Sequence, residues 1–174
     1  MKKLQIRRAE PRDATTIAAG EHEVARTPGL LNAAPGEIPE SAYRATIEAL
    51  AGGDRGLYAV ARIDDQLAAH LLLEPLPLSS RAHVCTLTIV VYPAWQRQGI
   101  GKALLRHGIQ WARQNPGIGK IELTVRADNA AAIGLYRSLG FEQEGLLRQR
   151  VKGTDGICRD DIAMALFVTQ GTSD

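Results

Sequence analysis

The sequence is short of several things, and each shortage removes a class of protein. It holds two cysteines in 174 residues, too few for a disulfide framework. Cys85 falls in a predicted core strand and Cys158 in a predicted loop, so a reducing, cytoplasmic setting is the simplest expectation. No stretch approaches the length of a membrane-spanning helix, and residues 1–8 lack the apolar run of a signal peptide, so no membrane association is expected. Net charge is only +2, from 21 basic and 19 acidic residues, which does not suggest a nucleic-acid partner. The spacings of cysteine, histidine and carboxylates show no metal cluster, and no internal repeat or low-complexity linker interrupts the chain. What is present is 45% hydrophobic and 23% charged, ordinary for a globular protein, at a length that suits a single domain over residues 1–174.

One stretch organises the rest. Residues 84–91, Val-Cys-Thr-Leu-Thr-Ile-Val-Val, read as a buried strand, and residues 103–113 read as an amphipathic helix. Between them lies Gln96-Arg97-Gln98-Gly99-Ile100-Gly101-Lys102, a strand-to-helix turn with glycines at the helix start. The first turn of a helix leaves backbone N–H groups without partners and carries the positive end of the dipole. Gly99 and Gly101 remove side chains that would keep a ligand from those groups, and Arg97 and Lys102 add charge, so the turn suits phosphate oxygens. A dinucleotide fingerprint would need a small residue at Leu104, and a P-loop would need glycine at Gln96 and Ser or Thr at Ala103. Taken alone, the stretch also fits a plain glycine-rich turn.

The remaining pattern reads as β-α-α-β-β-β-α-β-α-β-β. Leu4 to Arg8 alternates as a strand, and Asp13 is placed to cap a helix through about Ala25. Residues 27–40 hold three prolines and two glycines, a loop whose Leu30, Leu31 and Ile38 suggest that it packs on the core or covers a ligand. Ser41 is placed to cap a helix to about Ala51. Strands at 57–63 and 67–74 are joined by the tight turn Asp64-Asp65. After the strand at 82–91 and the helix that follows it, Asn115-Pro116-Gly117 is a stop, 120–125 a strand, and 129–139 a short helix closed by Gly140. Strands near 145–151 and 160–168 finish the chain. This order predicts a mixed sheet with helices on both faces, of α/β or α+β class.

A second motif, Asn129-Ala130-Ala131-Ala132-Ile133-Gly134-Leu135-Tyr136-Arg137-Ser138-Leu139-Gly140-Phe141, puts Asn129, Ala132 and Tyr136 on one helix face. With the Gln-x-x-Gly-x-Gly turn it resembles the GNAT family of N-acetyltransferases over nearly the whole chain, most closely from Ala82 to Leu166. The resemblance implies acetyl-CoA as co-substrate and a primary amine as acceptor: a free amino acid, a small amine or a protein N-terminus. It places pyrophosphate on the N–H groups of Arg97, Gln98, Gly99, Ile100, Gly101 and Lys102 after Gln96, and the pantetheine arm along Ile89 and Val91. Asn129 and Ala132 lie beside the arm, the Val91 N–H on the thioester oxygen, and Tyr136 as general acid beside the sulfur. It also implies a homodimer, since the family's C-terminal strands often pair across subunits.

The chemistry needs a neutral amine, hence a proton acceptor. Four side chains are candidates, Glu74, Glu122, His70 and His83, with a water chain as the alternative; Glu74, at the end of the strand before the central one, is carried forward. Arg148, Arg150 and Arg159 offer bidentate pairing to an acceptor carboxylate, or else a solvated basic hairpin paired with Asp155, Asp160 and Asp161. The rival functions are a catalytically silent module that binds acyl-CoA as a sensor, against which Tyr136 argues, and an anion-binding domain without CoA.

Overall fold

The computed structural model describes residues 3–26, 36–153 and 155–168. Within them the order is β1 (Leu4–Arg8), α1 (Ala14–Ala25), α2 (Glu40–Ala49), β2 (Leu57–Ile63), β3 (Gln66–Pro75), β4 (Val84–Val91), α3 (Ile100–Arg113), β5 (Lys120–Arg126), α4 (Ala130–Ser138), β6 (Glu142–Lys152) and β7 (Cys158–Phe167). The predicted order and the mixed α+β class both hold. The sheet runs β1-β2-β3-β4-β5-β7-β6, and β4 with β5 is its parallel pair.

Strand β2 shows how the layers are made. Successive side chains point to opposite faces, so Leu57, Ala59 and Ala61 pack with Leu104, Leu105 and Ile109 of α3, while Tyr58 and Val60 pack with Ile17 of α1 and Tyr43 and Ile47 of α2. A strand covered on both faces is apolar throughout, and β2 and β3 are the most buried strands. Ile133 of α4 joins the α3 side. Each fully buried Leu or Ile contributes about 1.5–3 kcal/mol, so these two cores hold the helices to the sheet. The β2–β3 turn, with Asp64 at φ 45° and Asp65 at φ 67°, has the two left-handed residues that a two-residue hairpin requires.

Local details depart from the sequence reading. Asp13 does not cap α1 with its side chain; it pairs bidentately with Arg7, at 2.7 and 2.9 Å, and accepts the Glu10 N–H at 2.8 Å. A guanidinium fork offers a carboxylate a stronger, charged partner than a helix N–H does. Ser41 lies inside α2, which starts at Glu40 after Pro39 in extended conformation. Strand β4 begins at Val84, because Ser79–Arg81 coils first, and β6 starts three residues early, at Glu142. Leu30 and Leu31 lie outside the described residues; Ile38 is described and exposed.

Candidate active site

The site begins where two strands part. β4 and β5 pair only over Val84–Lys120, Cys85–Ile121 and Thr86–Glu122. On its other side β4 keeps its full ladder with β3, and the Tyr92 N–H continues it to the Ala68 carbonyl at 3.0 Å. Because antiparallel pairs alternate, that bond puts Val90–His70 among the hydrogen-bonded pairs and leaves the N–H and C=O groups of Ile89 and Val91 pointing toward β5. There they face a widening gap. The Val91 carbonyl accepts from Gln96 Nε2 at 3.1 Å, which ties the next turn to the strand end.

That turn is shaped by backbone. Arg97 and Gly99 are both left-handed, at φ 57° and 80°, and Gly99 is the N-cap of α3. A Cβ on Gly99 would meet nothing within 4 Å, so the space before the helix is open, whereas one on Gly101 would stand 3.2 Å from Val91 Cγ2. The cradle fits a phosphate: unpartnered first-turn N–H groups, bare glycines, and Arg97 and Lys102 at its wall. Gln98 is outside the cavity wall, its side chain donating to the Ala94 carbonyl at 3.0 Å.

Across the gap stands α4. Asn129 caps it by accepting the Ala132 N–H at 3.0 Å, so part of its polar capacity is structural. At the other end Gly140, at φ 92°, lets Phe141 N–H reach the Tyr136 carbonyl at 3.1 Å and Gly140 N–H the Arg137 carbonyl at 3.1 Å. This paired closure sets the Phe141 ring against the Tyr136 ring, with centroids 5.7 Å apart. Asn129, Ala132 and Tyr136 all reach the cavity, as their shared face requires. Burial pushes the Tyr136 phenol up to about 12.

One cavity of about 940 Å³ joins these parts to a far end lined by Glu21, Tyr43, Tyr58, His70 and Glu74. Of the four candidate bases, Glu74 and His70 reach it. Glu122 instead lies 3.4 Å from Lys120 Nζ, and the His83 ring packs near Gly119. Glu21 and His70 are buried, with His70 Nε2 3.0 Å from Glu21 Oε1. The Tyr43 hydroxyl donates to Glu21 Oε2 at 2.6 Å. Burial alone would push the Glu21 carboxyl up; His70 and Tyr43 outweigh it and hold it below the usual range. Burial, and then the Glu21 charge, push the Tyr58 phenol far above its ordinary value. Arg126 and Asp161 form a buried pair at 3.2 Å on the cavity wall. None of Arg148, Arg150 and Arg159 reaches it: Arg159 pairs with Asp155, and Asp160 accepts the Gln149 N–H, as a solvated hairpin would. The sequence reading missed Glu21, Tyr43 and Tyr58. The signal for Glu21 was its place between Ile17 and Val24, a carboxylate on the apolar face of a helix.

Comparison with known proteins agrees with this geometry. The model of the acetyltransferase (GNAT) family matches residues 25–141. The chain is 49% identical over 81 residues, 47% of its length and 53% of the relative's, to the [ribosomal protein bS18]-alanine N-acetyltransferase of Escherichia coli K12. It is 38% identical over 86 residues, 49% of its length and 53% of the relative's, to the L-amino acid N-acetyltransferase AaaT of the same organism. The chain thus spans about half the length of these curated relatives. The structure of yncA from Salmonella typhimurium, a putative acetyltransferase with its cofactor acetyl-CoA, superposes with a TM-score of 0.85 at 20% identity, covering 98% of this chain and 96% of that one. The parted strands, the glycine cradle and the length of the family match agree, and the chain belongs to the GNAT acetyltransferase family.

Proposed function

We propose that the protein transfers the acetyl group of acetyl-CoA to a primary amine by direct attack. The observation that carries this is one continuous cavity, cationic at the cradle of Arg97 and Lys102 and acidic at the end with Glu21 and Glu74, with the backbone edges of Ile89 and Val91 between them. Phosphates suit the first end and an ammonium group the second.

Acetyl-CoA, when bound, supplies an activated acetyl thioester. The cradle residues Arg97 to Lys102 anchor its phosphates, and Ile89 and Val91 pair with its arm as a further strand would. The Val91 N–H, free of β3, donates to the charge that develops on the thioester oxygen. Tyr136 donates to the departing sulfur. A phenol near 12 is a weaker acid than a thiol of about 8.5, so Tyr136 acts first as a hydrogen-bond donor and lets solvent complete the protonation. The amine's proton leaves toward the acidic end, where Glu74 and His70 reach the wall.

The acceptor class is an amine on a protein N-terminus or a free amino acid, in keeping with the two named relatives. Cytoplasmic placement accords with the free cysteines. We also propose a homodimer, formed by the β6–β7 hairpin, which exposes Leu146 on the edge strand β6, Ile157 in the turn and Phe167 at the end of β7. The test of function is CoA release with acetyl-CoA and a panel holding an alanine-ended peptide, free amino acids and simple amines. Turnover with at least one is expected; acetyl-CoA binding without turnover on any amine would leave a sensor instead.

A further inference from the structure

Tyr58, His70 and Glu21 come from β2, β3 and α1, yet they form one line of polar contacts. It holds a hydrogen bond between Tyr58 and His70 Nδ1 and an ion-pair contact between His70 Nε2 and Glu21 that is close but not aligned as a hydrogen bond. A carboxylate can only accept, so the 3.0 Å approach of Glu21 Oε1 favours the tautomer with hydrogen on His70 Nε2. In the neutral ring Nδ1 is then the acceptor, and the Tyr58 hydroxyl, 3.0 Å away, donates to it. Tyr43 fixes the other carboxylate oxygen. His70 is 1% exposed, and apolar residues of similar size would fill this site at less desolvation cost, so packing alone gives no reason for the line. All its members reach the cavity wall rather than being sealed behind it.

We propose that Tyr58 and His70 form the relay that accepts the proton of the acceptor amine, with Glu21 as the positioning residue that orients the imidazole and balances its charge. The inference rests on the acetyl-transfer reading of the cavity. As the new N–C bond forms, the amine's proton passes to the Tyr58 oxygen while the Tyr58 proton passes to His70 Nδ1. The ring gains one proton and one positive charge beside the Glu21 carboxylate, and Tyr58 ends as it began. The C–S bond breaks, the sulfur accepts the Tyr136 hydrogen bond and takes its proton from solvent, and His70 returns its proton to solvent when product leaves. The raised Tyr58 phenol accords with a group that passes a proton only while receiving another. The order is that of a nucleophile–base–carboxylate triad, with phenol in the outer place. The titratable groups facing His70 are Glu21 from α1, Tyr58 from β2 and Tyr92 after β4, whose ring lies 6.0 Å away; Tyr43 from α2 faces Glu21.

The experiment has one arm without catalysis and one with it. In the folded protein the His70 ring nitrogens, assigned by their loss in His70→Gln, are read by nitrogen NMR at neutral pH for which of the two carries hydrogen. Hydrogen on Nε2, the nitrogen toward Glu21, is expected. With an alanine-ended peptide as acceptor, Glu21→Gln should lower kcat/KM by about tenfold and leave the calorimetric affinity for acetyl-CoA unchanged. Tyr58→Phe, which keeps the ring, should lower kcat/KM by about 10²-fold, the lower range of acid–base catalysis, with the calorimetric affinity for acetyl-CoA unchanged. If His70→Gln unfolds, Glu21→Gln and Tyr58→Phe decide. Hydrogen on Nδ1 rather than Nε2, wild-type kcat/KM in folded Glu21→Gln, or wild-type kcat/KM across the pH range in folded Tyr58→Phe overturns the relay alone. A wild-type protein that acetylates neither the peptide nor any amine of the panel overturns the reading beneath it, and the relay with it.

Discussion

A Cβ on Gly101 would stand 3.2 Å from Val91 Cγ2, so the first turn of α3 rests directly on the strand end that offers its N–H to the gap. Gly99, two residues earlier, touches nothing there and is required instead by its φ of 80°. The two glycines should therefore fail differently. Gly99→Val is expected to weaken acetyl-CoA binding more than tenfold, because the new side chain enters the cradle, with a fold cost of about 1–2 kcal/mol for the left-handed backbone. Gly101→Val should weaken binding and also push on Val91, adding about 1–3 kcal/mol of overpacking. Calorimetry and thermal melts on both variants check this; unchanged affinity in a folded Gly99→Val would remove the phosphate cradle.

Tyr136→Phe keeps the ring against Phe141 and removes the hydroxyl. Turnover should fall by about 10²-fold, with acetyl-CoA affinity nearly unchanged. Because burial pushes the phenol up to about 12, Tyr136 keeps its proton through the alkaline range, and no loss of turnover from it should appear at the midpoint of about 10 of an exposed tyrosine. A pH–rate profile of wild type and variant tests both statements, and equal turnover would leave Tyr136 a packing residue.

What was legible in the sequence was local. Gln96 to Lys102 and Asn129 to Phe141 each lie within one turn or one short helix, so spacing alone places their residues together. Asp64-Asp65 is likewise a property of adjacent residues. The buried end of the cavity is not of this kind. Glu21, Tyr43, Tyr58 and His70 meet only because the sheet sets β2 beside β3 and both helices cover the same face. Asp13 looked like a cap because its position suits one, and nothing in the nearby sequence shows that Arg7 claims it first. The insertion of β7 between β5 and β6 is equally a property of topology.

The Arg7–Asp13 pair gives a stability prediction. Asp13 is 3% exposed, and Arg62 adds a second cation at 3.6 Å. Burial raises its carboxyl, but the Arg7 pairing and the Glu10 N–H outweigh that, so its pKa lies below the ordinary value. A depressed carboxyl stabilises the fold above its unfolded pKa of about 3.9, and the stabilisation is lost as pH falls from there through the folded value. Asp13→Asn should cost about 2 kcal/mol at neutral pH, less than the about 3–5 of a fully buried pair because Arg7 keeps some water. For a chain of this size that is roughly 4–8 °C in Tm. The gap between the two melting curves should close below about pH 4; a gap constant with pH would mean that shape, not charge, is what Asn disturbs.

Ile38 tests the approach to the acceptor end. It follows residues 27–35, lines the cavity beside Ala42 and Thr46 of α2, and is 41% exposed, so an acceptor passing Glu21 has apolar surface to cover there. Full burial of an isoleucine is worth about 1.5–3 kcal/mol, and the part of Ile38 still in water corresponds to roughly 1 kcal/mol. Since about 1.4 kcal/mol is tenfold in affinity, Ile38→Ala should raise the acceptor KM by about fivefold. The KM for acetyl-CoA should not change, because the cradle lies at the other end of the cavity. Steady-state kinetics with each substrate varied in turn measures both. A rise in the acetyl-CoA constant alone would put Ile38 on the cofactor side, and two unchanged constants would make this segment a cover for the core that the acceptor never meets.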